Sequence, residues 1–141
     1  VDQVIGAFFL VRRSLFEALD GFDERFFVYF EEVDFARRAL VAGSTSQYIA
    51  EAQAFHAGGG TSHQVKAHRL FYSLRSRLLY GFKHFPRWKA WALAFVTLAI
   101  EPLTRTVFSI ARGRNSVSNT WRGYRMLYGD LPQILKRARF P

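Results

Sequence analysis

The chain has 141 residues and no cysteine, half of it is apolar, and its formal net charge is +9. That length allows one domain or part of one, and the missing cysteine excludes disulfides and thiolate metal sites. The charge is uneven: residues 1–60 carry five basic and nine acidic side chains (net −4), whereas residues 61–141 carry fifteen basic side chains and only Glu101 and Asp130 (net +13).

Val4 to Val11 is a short apolar run with β-branched and aromatic residues and reads as a buried strand. Gly6 within it marks either a close approach to the backbone or a bulge. A short helix follows, with Ser14 as its cap, Glu17 at capping-box spacing and Gly21 as its stop. Phe22 to Phe30 is an aromatic loop expected to fold onto the core. A second helix spans about Glu31 to Ala42, acidic in its first turn and basic in its middle, which suits the helix dipole. Gln47 to Ala50 and Ala52 to His56 read as one bent strand or two short ones, and Gly58-Gly59-Gly60 as a flexible loop.

From His63 onward the pattern is helical. Pro86 should break the first of these helices. Trp88 to Ile110 reads as the next, kinked at Pro102. Arg112 to Asn119 reads as a polar loop, and two short helices, Trp121 to Tyr128 and Leu131 to Arg137, close the chain. The longest uncharged run, Ala90 to Ile100, falls short of the roughly 20 apolar residues of a spanning helix. The expectation is therefore an interfacial or re-entrant element.

Glu31, Glu32 and Asp34 gather three carboxylates within four residues. Acids in a first helical turn are ordinary, but these follow an apolar loop, where a carboxylate loses water and gains basicity. His56 is either a structural imidazole or, beside an open glycine loop, a ligand for a divalent metal. Lys66, Arg69, Arg75, Arg77, Lys83, Arg87 and Lys89, with Trp88, Trp91 and Phe95, suggest a surface for anionic membrane. Within that set Arg75 and Arg77 are candidates for binding an acceptor's diphosphate. Basic residues among aromatics also serve nucleic-acid binding. No compact nucleic-acid motif is present, and the apolar run suits lipid better, so no nucleic-acid partner is expected.

The segments GAFFLVRRSLF, GFDERFFVYFEEVDFARRALVAG and EAQAFHAGGGTS together resemble the second half of the catalytic domain of family 2 glycosyltransferases. The resemblance is greatest to bacterial rhamnosyltransferase-like enzymes of cell-surface polysaccharide assembly, and it covers about Val4 to Ser62. It implies an α/β fold: residues 1–62 as the acceptor-side part of a GT-A mixed-sheet domain, and residues 63–141 as a helical, basic, membrane-associating extension. It implies an inverting transfer of a sugar, with rhamnose as the donor guess, from a nucleotide diphosphate to a saccharide or lipid-linked acceptor. Glu32 stands where the family has an Asp as base, with Glu31 before it and Asp34 as a supporting acid. Gly6 and Ala7 match small residues near the acceptor. His56 matches a metal ligand at the donor diphosphate, the cation being Mg2+ or Mn2+. The chain has no Asp-x-Asp motif, so most of the donor site is expected in a missing N-terminal nucleotide-binding half, and residues 1–141 alone are expected to be inactive. The expected location is the cytoplasmic face of the cell membrane, held peripherally. The alternative is a non-catalytic basic module docking on anionic membrane.

Overall fold

The computed structural model describes residues 1–55 and 65–138. It divides into two compact units, Val1–Gly60 and Thr61–Pro141, each described by itself.

The first unit holds two helices, α1 (Arg13–Ala18) and α2 (Glu31–Val41). Among the described residues there is no strand, which overturns the expectation of an α/β mixed-sheet domain. The reason is local. A strand exists only as one side of a hydrogen-bonded ladder, and no described segment pairs with residues 4–11, which turn at Gly6–Ala7. Ile5, Phe8 and Leu10 accordingly lie exposed. Residues 47–55 behave alike. They bend at Ala50–Glu51, where the Ala52 amide donates to the Ile49 carbonyl at 3.2 Å, and leave Tyr48, Ile49 and Phe55 in solvent.

Four phenylalanines organise what core this unit has. Phe9, Phe16, Phe22 and Phe35 pack ring against ring with centroids 5.5–6.1 Å apart, several edge to face, as ring quadrupoles favour. α1 begins at Arg13, not after Ser14, and has no side-chain cap. Glu17 pairs with Arg13 at 2.7 Å, one helical turn away, so the expected capping box does not form. The helix stops where Asp20 and Gly21 both turn left-handed (φ 57° and 67°), and the Gly21 amide closes back on the Phe16 carbonyl at 2.9 Å.

The second unit is three helical rods. α3 is Lys66–His84. The middle rod is α4 (Arg87–Phe95), a π-helical turn (Val96–Ile100) and α5 (Glu101–Ile110). α6 is Arg114–Ala138. α6 packs on α3 and α5, and α4 packs on α3. The register follows from side chains: Arg75 of α3 meets Asp130 of α6, Arg77 meets Thr97 and Glu101, and Tyr128 meets Leu98. The middle rod thus runs antiparallel to the other two. Glycines let the rods approach: a Cβ on Gly123 would lie 3.0 Å from the Ala67 carbonyl oxygen, and one on Gly81 2.6 Å from Leu93 Cδ2. Leu74, Leu78, Tyr124, Leu127 and Ile134 are fully buried between them.

Two sequence expectations change in α6: the loop expected over Arg112 to Asn119 is helical from Arg114, and the two short helices expected after it are one. Gly129 and Pro132 do not divide α6, which is continuous through Pro132. Its core positions Tyr124, Leu127 and Ile134 keep helical spacing across both residues and are held by burial. At Pro102 the rod continues through the π turn. Proline has no N–H to give the Leu98 carbonyl, its α-helical partner, and the Tyr128 hydroxyl donates to that oxygen instead at 2.7 Å.

Candidate functional site

The acidic start of α2 is reached through a strained approach. Tyr29 and Phe30, two consecutive bulky residues, adopt left-handed backbone (φ 66° and 70°), a conformation that costs energy and persists only where the surroundings enforce it. Phe30 is the N-cap, and the next residues are Glu31 and Glu32. Both carboxyl groups hold one oxygen, Oε2, buried and without a hydrogen-bond partner among the described residues. Burial pushes the Glu31 carboxyl above its ordinary value, and the charge of Glu32 adds to this, while a hydrogen bond from its own backbone opposes it. Two adjacent carboxylates with free lone pairs, partly desolvated, are chemically suited to take a proton from a hydroxyl.

Gly6 lies against Glu32: a Cβ there would stand 3.6 Å from Glu32 Cβ, Cγ and Cδ. Gly6 thus packs at ordinary contact distance on that carboxylate side chain, with room there for no more than about a methyl group. Ala7 follows it, exposed in the same turn.

Asp34 is a different kind of acid. It is completely buried, and Arg38 donates to its Oδ2 from Nε at 2.8 Å. The same guanidinium donates from its two terminal nitrogens to the carbonyls of Leu19 (2.6 Å) and Gly21 (2.7 Å). One side chain thus fastens α2 to the end of α1 and fixes the turn that carries Glu31 and Glu32. The Asp34-Arg38 spacing of four was visible in the sequence, but the two carbonyl acceptors belong to tertiary structure. In the loop before α2, Asp23 accepts from the Arg25 backbone and guanidinium, and that pairing holds the Arg25 pKa above its usual value.

Among the other candidates, Arg75 and Arg77 lie in the second unit and are engaged internally. Arg75 pairs with Asp130 at 2.8 Å and is nearly buried. Arg77 reaches Thr97 and Glu101, and Arg105 binds Glu101's other oxygen at 2.7 Å. Burial alone would raise the Glu101 carboxyl, but hydrogen bonds and charge from these two arginines outweigh it and hold the group low. Nearby Tyr124 is fully buried, and its phenol is pushed up to about 12, by burial first and by the Glu101 charge second.

His56 lies outside the described residues. Among the described residues no group of three carboxylate or imidazole ligands comes together, so these residues do not by themselves build a divalent-cation site.

The chain is similar to known proteins over part of its length. The chain is 34% identical over 91 residues to N-acetylglucosaminyl-diphospho-decaprenol L-rhamnosyltransferase of Mycobacterium tuberculosis, in each of two strains; the match covers 64% of this chain and 30% of that protein. It is 42% identical over 57 residues to rhamnosyltransferase WbbL of Escherichia coli K12, covering 40% of this chain and 20% of that protein. The chain therefore matches less than a third of the length of these curated relatives. No protein-family model matches it, and no solved structure does. These likenesses support a glycosyltransferase-like relationship, with rhamnosyltransferases among the relatives.

Proposed function

We propose that residues 1–55 form the acceptor-side part of an inverting, family 2-type glycosyltransferase. The sugar, rhamnose by the names of the relatives, passes from a nucleotide diphosphate to a hydroxyl of an N-acetylglucosaminyl diphosphate lipid or a similar lipid-linked saccharide, in cell-envelope polysaccharide assembly. The observation that carries this reading is the pair of buried carboxylate oxygens of Glu31 and Glu32 that have no hydrogen-bond partner among the described residues, with Gly6 packed against Glu32. Glu32 takes the acceptor proton as the hydroxyl oxygen attacks the anomeric carbon and the nucleotide diphosphate leaves. Glu31, held more basic by burial, is its neighbour and the next candidate for that proton. Asp34 and Arg38 position the pair. Ile5, Phe8, Leu10, Tyr48 and Phe55 are each exposed, as large apolar side chains that a nucleotide-binding half would cover in supplying the donor site. The helical unit holds the enzyme peripherally at the cytoplasmic face of the membrane.

The test is Glu32→Gln in an enzyme that includes the nucleotide-binding half. General-base loss lowers turnover by ~10² to 10⁴-fold while donor binding persists. Near-normal turnover in Glu32→Gln together with a collapse in Glu31→Gln moves the role to Glu31, and no effect of either removes the carboxylates from the mechanism.

A further inference from the structure

The continuous rod Arg87–Ile110 has two unlike sides. The inner side is small or polar: Ala90, Ala94, Thr97 and Ser109 are buried in the helical unit. The Ser109 hydroxyl donates to Thr120 Oγ1 at 2.8 Å, since Thr120 spends its own hydrogen on the Ser116 carbonyl. The outer side is a row of large apolar residues in solvent, Trp88, Trp91, Phe95, Leu103, Val107 and Ile110, from 58% to 70% exposed. The wider π turn carries that row past Pro102 through the exposed Ile100. Over 24 residues the rod is about 36 Å long, and by length and composition it could cross a membrane.

Two further observations decide how it meets one. The acids of this unit, Glu101 and Asp130, are paired with Arg77, Arg105 and Arg75. The exposed charges flanking the row are therefore of one sign: Arg87 and Lys89 before it, Arg112 and Arg114 after it. An apolar row bounded by cations complements an anionic lipid surface, and Trp88, with the Lys89 ammonium 5.3 Å from its ring centre, suits the headgroup level. Second, α3 and α6 pack along the other side of the same rod and expose Arg69, Arg122 and Arg125. A spanning rod would take those guanidinia to hydrocarbon depth, which is costly.

We propose that α4–α5 lies in the plane of an anionic phospholipid bilayer, its outer apolar row immersed among the upper acyl chains, with α3 and α6 on the water side. This rests on the membrane part of the proposed function and deepens it; it does not depend on the transferase chemistry.

The experiment uses the whole 141-residue chain and vesicles of equal parts phosphatidylcholine and phosphatidylglycerol. Binding is measured by co-sedimentation, and depth by quenching of tryptophan fluorescence with lipids brominated either high on the acyl chain or at its end. The expected result is binding, quenching by the high bromines only, and incomplete release at 1 M salt, where the Debye length is about 3 Å. Leu103→Gln with Val107→Gln, both at exposed positions, should weaken binding by about tenfold or more, and Trp91→Gln gives a second probe should that pair disturb helicity. Binding that ignores all three substitutions and vanishes in salt overturns the immersed row and leaves the membrane reading standing. Quenching by the terminal bromines means the rod spans. A dimer in solution that the double substitution dissociates, without vesicle binding, means a second copy covers the row. A monomer that binds no vesicle ends both the orientation and the membrane reading.

Discussion

Replacing Arg38 by Met tests how the acidic turn is held. The substitution keeps the length of the stem but deletes three hydrogen bonds: to Asp34 Oδ2 at 2.8 Å, the Leu19 carbonyl at 2.6 Å and the Gly21 carbonyl at 2.7 Å. Bonds from a charged donor contribute about 1.5–3 kcal/mol each. The Arg38 side chain is 21% exposed, so water replaces part of this at the carbonyls, while the Asp34 carboxylate has no exposed surface to hydrate. A net local loss of about 3 kcal/mol follows, and at 1.4 kcal/mol per decade this is about 10²-fold in the local opening constant. Amide hydrogen exchange followed by mass spectrometry reads it directly. Peptides covering α1 and α2 should lose about 10²-fold in protection, and those covering α3 to α6 should not change. Arg37→Met, at the exposed neighbouring position, should stay within about 0.5 kcal/mol of wild type. Unchanged protection in Arg38→Met, or an equal loss in Arg37→Met, would refute the clamp.

Glu31→Gln should raise the melting temperature near neutral pH. Burial raises the Glu31 carboxyl, so the folded protein holds that proton more tightly than the unfolded chain. The stability it contributes is complete below the ordinary value of 4.5 and is lost as pH rises through the folded value. The gain from the amide should therefore shrink to nothing by about pH 4, and a gain that persists there would contradict the assignment. Gly123→Val should cost about 1–3 kcal/mol in urea unfolding, because its Cβ meets the Ala67 carbonyl oxygen, a backbone atom that cannot swing away. Gly81→Ala meets only the movable tip of Leu93 and should cost less; the reverse order would refute the packing account. Tyr128→Phe removes the donor to the Leu98 carbonyl and should destabilise the second unit by about 1 kcal/mol, whereas a neutral result means water serves that oxygen equally well.

The helices were legible in the sequence because their signals are local. The acidic first turn of α2, the stop at Gly21 and the break at Pro86 all act within a few residues. Strands were not legible, since Val4 to Val11 has a strand's composition and nothing within the described residues to pair with. α6 was misread for the opposite reason: Gly129 and Pro132 are local breakers, and the burial of Tyr124, Leu127 and Ile134 overrides them. At the candidate site, the sequence pointed to Glu31, Glu32 and Asp34 as one cluster. The fold separates them into two carboxylates that each keep one buried oxygen without a partner among the described residues, and one buried ion pair, because successive helix positions point about 100° apart. Arg75 and Arg77 looked like free cations for a diphosphate, but their acidic partners lie 55 and 24 residues away in the chain, beyond any local pattern.

The role proposed for the carboxylate pair Glu31 and Glu32 is to take the acceptor proton in sugar transfer. Its most direct measurement is single-turnover transfer of labelled rhamnose from a nucleotide-diphosphate donor to an N-acetylglucosaminyl diphosphate lipid. The enzyme would carry these residues in frame with a nucleotide-binding half, and wild type would be compared with Glu32→Gln at saturating donor. The expected result is a fall of ~10² to 10⁴-fold in the transfer step, with donor affinity unchanged. Transfer at the wild-type rate in both Glu32→Gln and Glu31→Gln would contradict it.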